Sequence, residues 1–453
     1  MAEITATPAV KRKLGLRDVT LLSIACIMGS RWIPAAAHAG PGSILLWLAA
    51  ALLFAAPLAA AAGALAMKYP GSAGGLYVWT REDFGPWHGF LCFWVYWIGI
   101  AFLLPSAALF YMSAGFTALG PKYSHLGDNR YYLLAAALVA IWIALGTNLR
   151  GVDVGKWTEN IGAIACWALG VALVLLAVLV GAKRGSATPI HVLPKFNWET
   201  VNFWSNIAYG LSGVEMVAMM AAEIRDPART VPRAGWIASG FATVFYMATT
   251  AAMLVLLRPE DISELNGFAE VGQSASGALG AAWISPVLAL LVMVSAVGQF
   301  GGTGTTVSRL PFAAGVDNLL PRAFARLHPR WGTPHVSILV FGAVASFLLL
   351  VFQLGDSMRA AYQEMVSLMV ITGFLPYLYI FASAWKAGKR LSAISGTAIT
   401  VLAILCSIVP TEAIANVWLF EGKLAAGTLA VIASAWLVYR SAGKNNLATD
   451  EHR

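Results

Sequence analysis

The sequence predicts an all-α integral membrane protein with twelve transmembrane helices. Of its 453 residues, 59% are hydrophobic and only 11% are charged, which is about half the charged fraction of a soluble protein. The apolar runs last roughly 18–25 residues, the length of a membrane-spanning helix and not of a barrel strand. Two runs, roughly half the chain apart, are interrupted by glycine-containing segments.

Twelve apolar runs are long enough to cross the bilayer. They lie at about 16–39, 43–67, 86–117, 131–148, 159–181, 203–222, 235–257, 281–307, 335–353, 361–384, 391–409 and 424–440. An even number of spans places both termini on one side, and 21 of the 30 Lys and Arg residues then fall on that side, against 8 on the other. The positive-inside rule predicts cytoplasmic termini in a multi-pass protein of the cell membrane.

The spans divide into two repeats and two further helices. A cytoplasmic tail at 1–15 precedes a first five-helix repeat at 16–182, and a second repeat occupies 203–385. Helices 11 and 12 lie at 391–440, before a cytoplasmic tail at 441–453. Because each repeat has an odd number of spans, the copies are expected to insert upside down relative to each other, as a 5+5 inverted repeat with helices 1 and 6 broken.

Several functions are disfavoured by the residue pattern. The net charge of +8 does not indicate a nucleic-acid partner, because the basic residues lie in short loops between spans. The four cysteines lie in apolar stretches without a CxxC pair, which favours packing over a metal or redox role. The seven histidines are dispersed, so we expect no cofactor and no enzymatic activity. The expected partners are the lipid bilayer and a small-molecule substrate, and the sequence carries no signal for an oligomeric state.

The first interruption is the run 28–32 inside span 1. A helix that stops within a bilayer leaves backbone groups that hydrocarbon cannot pair, so this segment must be buried in protein or line a polar cavity. Gly29 permits close approach of a ligand to the backbone. The N–H groups that begin the second half-helix, together with the Ser30 hydroxyl, are expected to hold a carboxylate.

The second interruption is the run 209–213 inside span 6, which contains Tyr209, Gly210 and Ser212. Its glycines are expected to free carbonyl groups for an ammonium group. Together the two breaks suit a zwitterion such as an amino acid. The alternative is that both are glycine-rich kinks made for helix packing.

Two charged residues lie at these breaks. Arg31 cannot lose its proton and is costly inside a span; it could pair with Glu215, bind the carboxylate of a substrate, or face water away from the site. Glu215 could act as a proton-linked switch or as an acceptor for backbone N–H groups of the broken helix. Glu364, near the outer end of span 10, is expected to be solvated.

The predicted outer loop 258–280 is the most acidic segment of the chain. It carries Glu260, Asp261, Glu264 and Glu270 beside Arg258. It could be an ordinary solvated loop or an electrostatic funnel for cationic solutes.

Three loop motifs resemble those of the amino acid–polyamine–organocation superfamily. The run 213–234 starts with GVE and ends with EIRDPARTVPRA, similar to the signature after helix 6 of that family. The run 68–79, KYPGSAGGLYVW, resembles its loop between helices 2 and 3. The run 317–334, which starts with DNLLP, is similar to the loop before helix 9.

The resemblance implies a sodium-independent carrier with a central site between helices 1, 3, 6, 8 and 10. By likeness to arginine/agmatine antiporters, Gly29 and Ser30 would bind the substrate carboxylate and Tyr209 would form an aromatic gate. Cavity-lining positions would be Tyr96, Ile100 and Gln299. Two departures matter: Arg31 replaces a glycine of the helix-1 motif, and helix 5 lacks the lysine that replaces a sodium ion in some members.

These observations together predict a secondary-active amino acid transporter that works by alternating access. Substrate exchange and proton-linked uptake both stay open, with Glu215 and Tyr209 as the expected coupling and gating residues. The first alternative is a polyamine or other organic amine carrier of the same fold. An alternative of a different class is a membrane channel or sensor, although the chain lacks a repeated pore motif.

Overall fold

The computed structural model describes residues 14–69, 75–118, 121–126, 129–189, 193, 198–352, 357–412 and 414–450. Most of the predicted N-terminal tail, and residues 70–74 of the motif after span 2, lie outside this part. Helices dominate the described residues, whose only β contact is an isolated bridge between Leu14 and Ile224. The all-helical fold class is confirmed for this part of the chain.

The described residues form sixteen α-helices. In chain order they are α1 Leu16–Ile27, α2 Trp32–His38, α3 Ser43–Lys68, α4 Leu76–Phe84, α5 Pro86–Ala118, α6 Arg130–Leu149, α7 Val152–Arg184, α8 Trp198–Gly210, α9 Pro227–Leu256, α10 Gly267–Leu279, α11 Ile284–Val307, α12 Arg309–Val316, α13 His335–Phe352, α14 Met358–Lys386, α15 Arg390–Ile408 and α16 Val417–Asp450. A π-helical turn at Ala51–Ala55 interrupts α3.

Among the described residues, ten helices are long and apolar enough to cross a membrane. The short helices α1 and α2 meet at 50° and together make an eleventh candidate span, so the interruption expected in span 1 is present. The protein is therefore a multi-pass membrane protein. The expected span 6, at 203–222, is not a regular helix, because α8 is followed by a 3₁₀ segment at Val214–Glu223. Such segments rarely exceed four residues.

The centre of the protein is built on α5 and α14. In their most apolar windows 83% and 78% of the residues are buried, against 17% for α16 at the periphery. Glycines bring neighbouring helices together: a Cβ at Gly99 of α5 would lie 3.0 Å from the backbone of Gly373 of α14. A Cβ at Gly162 of α7 would overlap the backbone of Gly298 of α11. Small residues at such contacts are typical of membrane helix packing.

Ion pairs connect the loops on the predicted cytoplasmic side. Lys68, at the end of α3, pairs with Asp83 of α4 at 2.7 Å. Arg81 of α4 pairs with Asp317, which follows α12. The second pair joins a loop of the first predicted repeat to a loop of the second.

One expectation about the periphery needs correction. Glu364 is not solvated: it is 4% exposed and pairs with Lys423 of α16 at 2.6 Å. The pairing with a cation from a neighbouring helix explains how a carboxylate remains buried near the end of a span. The helix α16 continues beyond the predicted span 12 to Asp450, and the cytoplasmic position of the tail at 441–453 stays a prediction.

Candidate functional site

A tyrosine of α9 forms hydrogen bonds with backbone groups that the first break leaves without helical partners. The Tyr246 hydroxyl accepts a hydrogen bond from the N–H of Gly29 at 2.8 Å and donates to the carbonyl of Ile27 at 2.9 Å. Trp47 stacks on its ring with centroids 4.3 Å apart. Because lipid cannot pair these backbone groups, the buried hydroxyl stabilises the broken helix.

Gly29 is in direct contact with Gln299 of α11. A Cβ at residue 29 would overlap the Gln299 side-chain amide, so any larger residue there would displace the Gln299 side chain. The Gln299 Oε1 accepts a hydrogen bond from the Tyr111 hydroxyl of α5 at 2.8 Å. The structure thus places together two predicted site residues that are far apart in the sequence.

The donors expected to bind a carboxylate at this break are already hydrogen-bonded. The N–H of Trp32 donates to the Gly29 carbonyl at 3.3 Å, and that of Ile33 donates to the Ser30 carbonyl at 3.1 Å. The Ser30 hydroxyl lies 3.4 Å from a tyrosine hydroxyl of α5 and 3.4 Å from a serine hydroxyl of α11. Little donor capacity therefore remains in the backbone of the turn.

Arg31 is buried beside this break and is held by uncharged groups. It is 1% exposed. Its Nη1 donates to Ser106 Oγ at 2.9 Å and its Nη2 donates to Met369 Sδ at 3.0 Å. The guanidinium carbon lies 3.9 Å from the ring centroid of Trp32. Among the described residues, the Arg31 Nε has no hydrogen-bond partner.

The sequence left open a pair between Arg31 and Glu215, and the structure does not contain it. Both residues belong to the described part of the chain, and the ion pairs found there do not include either of them. A thioether sulfur is a weak acceptor, so the positive charge of Arg31 is poorly compensated. This charge lies at the first break, where the substrate carboxylate is predicted to bind.

Glu215 instead accepts hydrogen bonds at the second break. Its Oε1 accepts hydrogen bonds from the hydroxyls of Tyr96 and Tyr377, each at 2.7 Å. Its Oε2 accepts the N–H of Gly213 at 3.0 Å. This arrangement matches the second of the two roles considered for Glu215, an acceptor for backbone N–H groups of the broken helix. It does not test the proton-linked role.

Glycine and serine shape the backbone of the second break. Gly213 has φ of +112°, a conformation that favours glycine. The Ser212 N–H and Oγ both donate to the Tyr209 carbonyl, at 2.9 and 2.7 Å. That carbonyl, one of those expected to face an ammonium group, is therefore already an acceptor. Gly210 packs against aromatic rings, since a Cβ there would lie 3.0 Å from Trp47.

The Tyr209 side chain lies where α2, α8 and α14 meet. Its ring centroid is 5.7 Å from that of Trp32 and 5.3 Å from that of Phe374. Tyr96 and Ile100 lie one turn apart on α5 and are 2% and 1% exposed, so they share one face of that helix. The predicted site residues lie at the two breaks, on α5 and on α11, and their role in binding a substrate stays a prediction.

Sequence reasoning missed several residues that contact the predicted ones. Their shared property is a polar or sulfur atom inside an apolar span, away from the interface belts: Ser106, Tyr111, Tyr246, Met369 and Tyr377. Tyrosines at mid-span positions were the available signal, because a buried hydroxyl normally needs a partner.

A comparison with protein-family models decides the family. The model described as amino acid permease matches residues 14–438, almost the whole chain. The chain belongs to the amino acid permease family. It is a transporter of that family, in agreement with the superfamily resemblance of its loop motifs.

Similar proteins are also transporters. An uncharacterized transporter of Legionella pneumophila is 29% identical, over 94% of this chain and 96% of its own. A protein of Lactococcus lactis named probable agmatine/putrescine antiporter is 24% identical, over 84% of this chain and 80% of its own. The glutamate/serine transporter of Bacillus subtilis is 25% identical, over 84% and 72%.

Proposed function

We propose that this permease carries amino acids across the cell membrane by alternating access, with Arg31 binding the substrate carboxylate. The observation that carries this proposal is the buried Arg31 guanidinium, which has neutral neighbours and an unpartnered Nε. Its termini are cytoplasmic in this proposal, as the Lys and Arg distribution predicts. Both substrate exchange and proton-linked uptake are compatible with this site.

The energetic argument concerns the cost of a buried charge. Removing an ion from water costs several kcal/mol after relaxation. A substrate carboxylate would supply the missing opposite charge. Replacing the Met369 sulfur as acceptor by a carboxylate oxygen exchanges a weak hydrogen bond for a charge-assisted one. Hydrogen bonds to charged groups contribute about 1.5–3 kcal/mol.

The position of Arg31 supports a role in transport and not only in binding. It lies in the turn between α1 and α2, where it is the residue before the first residue of α2. It also contacts Ser106 of α5 and Met369 of α14. A carboxylate bound there would touch elements that must move relative to one another in alternating access.

Helix packing supports the inverted repeat on which alternating access depends. In a 5+5 repeat, span 3 corresponds to span 8 and span 5 to span 10. The contact of α5 with α14 then corresponds to that of α11 with α7, and both pairs are extensively packed. The short helices also correspond, because α4 follows span 2 and α10 follows span 7. These similarities favour the repeat assignment of the sequence.

A polyamine or other amine without a carboxylate fits the site less well. Such a substrate would add positive charge beside Arg31, while Glu215 already accepts three hydrogen bonds. The ammonium group of an amino acid would instead lie toward Tyr209 and the helix-6 break. A zwitterion therefore matches the separated charges of the site better than a polycation.

Matched substrate pairs test this proposal. Purified protein is screened by thermal shift with each amino acid and with the amine formed by its decarboxylation, so that the pair differs only in the carboxylate. A ligand that binds the folded protein stabilises it by mass action. We expect stabilisation by at least one amino acid. The affinity for its amine, derived from the concentration dependence of the thermal shift, should be at least about tenfold weaker. The proposal fails if the amine binds equally well.

The stabilising amino acid then serves in counterflow with proteoliposomes. A carrier shows trans-stimulation of labelled substrate, whereas a channel does not. Arg31→Ala should lose both the stabilisation and the counterflow. Arg229→Ala is the matched control, because Arg229 is exposed and forms only a long surface pair with Asp226, at 3.9 Å. Normal counterflow by Arg31→Ala would overturn the assigned role.

A further inference from the structure

Glu264 is a buried carboxyl group on the predicted outer side of the protein. It lies in the loop between α9 and α10 and is 8% exposed. It lines a pocket of about 220 Å³ near the ends of α2, α8 and α14. Arg258 belongs to the same loop but does not line this pocket.

A chain of side-chain amides leads to this carboxyl group. Asn202 of α8 donates through Nδ2 to the carbonyls of Ser407 and Val409, at 2.9 and 2.7 Å. Its Oδ1 accepts a hydrogen bond from Gln363 Nε2 of α14 at 2.7 Å. The Gln363 oxygen then lies 3.0 Å from both carboxyl oxygens of Glu264.

Two oxygen atoms at this distance need a hydrogen between them. Rotating the Gln363 amide by half a turn would give Glu264 an N–H donor, but it would place the Gln363 oxygen against Asn202 Oδ1. Rotating Asn202 as well would turn its oxygen toward the carbonyls of Ser407 and Val409, which have no proton to donate. The arrangement that satisfies every group places the missing hydrogen on Glu264.

We propose that Glu264 is a proton-binding site that latches the outer ends of the two broken helices. In its protonated form it donates to Gln363, which in turn holds Asn202 at the start of α8. The same loop reaches α2, because His38 Nδ1 lies 2.6 Å from the carbonyl of Ile262. His38 also packs edge-on against Phe203 of α8, with centroids 4.8 Å apart. This inference rests on the proposed alternating access.

Charged and titratable groups surround Glu264 from every neighbouring element. The carboxylates on the pocket are those of Glu260, Asp261, Glu270 and Glu412, and the basic groups are those of His38 and Arg359. Tyr362 of α14 is buried and lies within electrostatic range of both Glu264 and Arg31. Most of these neighbours are acidic and therefore disfavour a second negative charge in the pocket.

The closed latch should depend on pH in a defined direction. Burial raises the pKa of the Glu264 carboxyl to about 8, although the nearby Arg359 guanidinium opposes the shift. An exposed glutamate has a pKa of about 4.3. Protonation therefore favours the closed latch, and this stabilisation is lost as the pH rises through about 8. Deprotonation leaves the carboxylate facing the Gln363 oxygen, which repels it.

The proton itself can be measured without a substrate. The infrared absorbance of protonated carboxyl groups is followed from pH 5 to 10 in wild-type protein and in Glu264→Gln, both in lipid vesicles. We expect a band that is present only in the wild type and that disappears with a midpoint near pH 8. Identical titrations, or a midpoint near pH 4.5, would refute the proton site.

Two further variants control this titration. Glu260→Gln changes an exposed carboxylate of the same pocket, so it should keep the band and lower its midpoint only slightly, because solvent screens an exposed charge. Arg359→Gln removes the cation that lowers the Glu264 pKa, so its midpoint should rise. This second shift tests the proposal even if Glu264→Gln fails to fold. An unchanged midpoint in Arg359→Gln would count against Glu264 as the titrating group.

Accessibility tests the latch. Phe203→Cys, introduced after replacing the four native cysteines, is labelled from outside by an impermeant thiol reagent. Labelling rates are compared at each pH between the protein with the native Glu264 and the one with Glu264→Gln. This comparison removes the pH dependence of the thiol's own reactivity. We expect labelling with the native glutamate to speed up relative to Glu264→Gln as the pH rises from about 5 to about 8, and to be at least about tenfold faster and level at pH 9, since a one-proton equilibrium shifts up to tenfold per pH unit between the pKa values of its open and closed forms. Equal rates at pH 9 would refute the latch.

These experiments separate this inference from the proposed function. The infrared titration uses neither substrate nor Arg31, so a failed proton site leaves the carboxylate proposal intact. Conversely, Arg31→Ala should retain the pH-dependent band. If that variant keeps the band but binds no amino acid, both proposals stand.

Discussion

Replacing Arg31 by methionine separates a substrate-binding arginine from a structural one. Methionine is shorter than arginine, but it is unbranched and flexible and fits irregular apolar spaces. The substitution removes a hydrogen bond to Ser106, a weak one to Met369 and the contact with the Trp32 ring. It also removes the cost of burying a charge that has no carboxylate beside it.

The magnitudes of these effects can be compared. The lost charged hydrogen bond contributes about 1.5–3 kcal/mol, and a desolvated cation–π contact contributes about 2 kcal/mol. Desolvation of the ion costs several kcal/mol. Replacing buried ionic groups by apolar ones of similar volume is often neutral or stabilising by about 1–4 kcal/mol. We therefore expect Arg31→Met to be as stable as the native protein or more stable.

Thermal unfolding in detergent, without substrate, measures this directly. The midpoint should stay unchanged or rise, and the additional stabilisation by an amino acid should disappear. Arg229→Met, at an exposed position, is the control for replacing an arginine and should leave both quantities unchanged. A midpoint several degrees lower in Arg31→Met would show that Arg31 holds the fold together, and the reasoning from its uncompensated charge would be wrong.

Three further substitutions test the surrounding contacts. Tyr246→Phe should lower the unfolding free energy by about 1–3 kcal/mol, because it leaves buried backbone groups of the first break unpaired; unchanged thermal stability would contradict this. Arg81→Asp should increase opening toward the predicted cytoplasmic side, measured by thiol labelling, and the double exchange with Asp317→Arg should reverse it if the ion pair matters. Glu215→Gln presents an amide to three donors and should cost about 1–3 kcal/mol, whereas Glu215→Asp, which keeps the charge, should cost less; equal losses would argue against the acceptor role.

Much of the fold could be predicted because membrane spans leave a strong signal. Long apolar runs predicted the helices to within a few residues at α6 and α13. Prediction was weaker after the second break, where the chain forms the 3₁₀ segment Val214–Glu223. Its hydrophobicity resembles that of an α-helix, and the difference arises from tertiary contacts of the neighbouring break.

The candidate site was predicted less completely, for a physical reason. Glycine and charge inside a span are visible in the sequence, so Gly29, Arg31 and Glu215 could be identified. Their partners could not, because a tyrosine such as Tyr246 carries no mark that distinguishes a backbone-capping hydroxyl from an interface residue. Which buried charge meets which acceptor depends on helix rotation, and hydrophobic periodicity is weak in helices buried on several sides.

The two breaks solve the same backbone problem with opposite electrostatic results. At the first break the neutral hydroxyl of Tyr246 pairs the backbone, and the positive charge of Arg31 remains uncompensated. At the second, the carboxyl group of Glu215 pairs the backbone and two tyrosines as well. A structural arginine would be expected to use that carboxyl group, because breaking a buried ion pair costs about 3–5 kcal/mol. Keeping Arg31 and Glu215 apart, with Tyr209 packed on the Trp32 ring that also contacts Arg31, makes sense if a substrate carboxylate occupies the place of the missing partner.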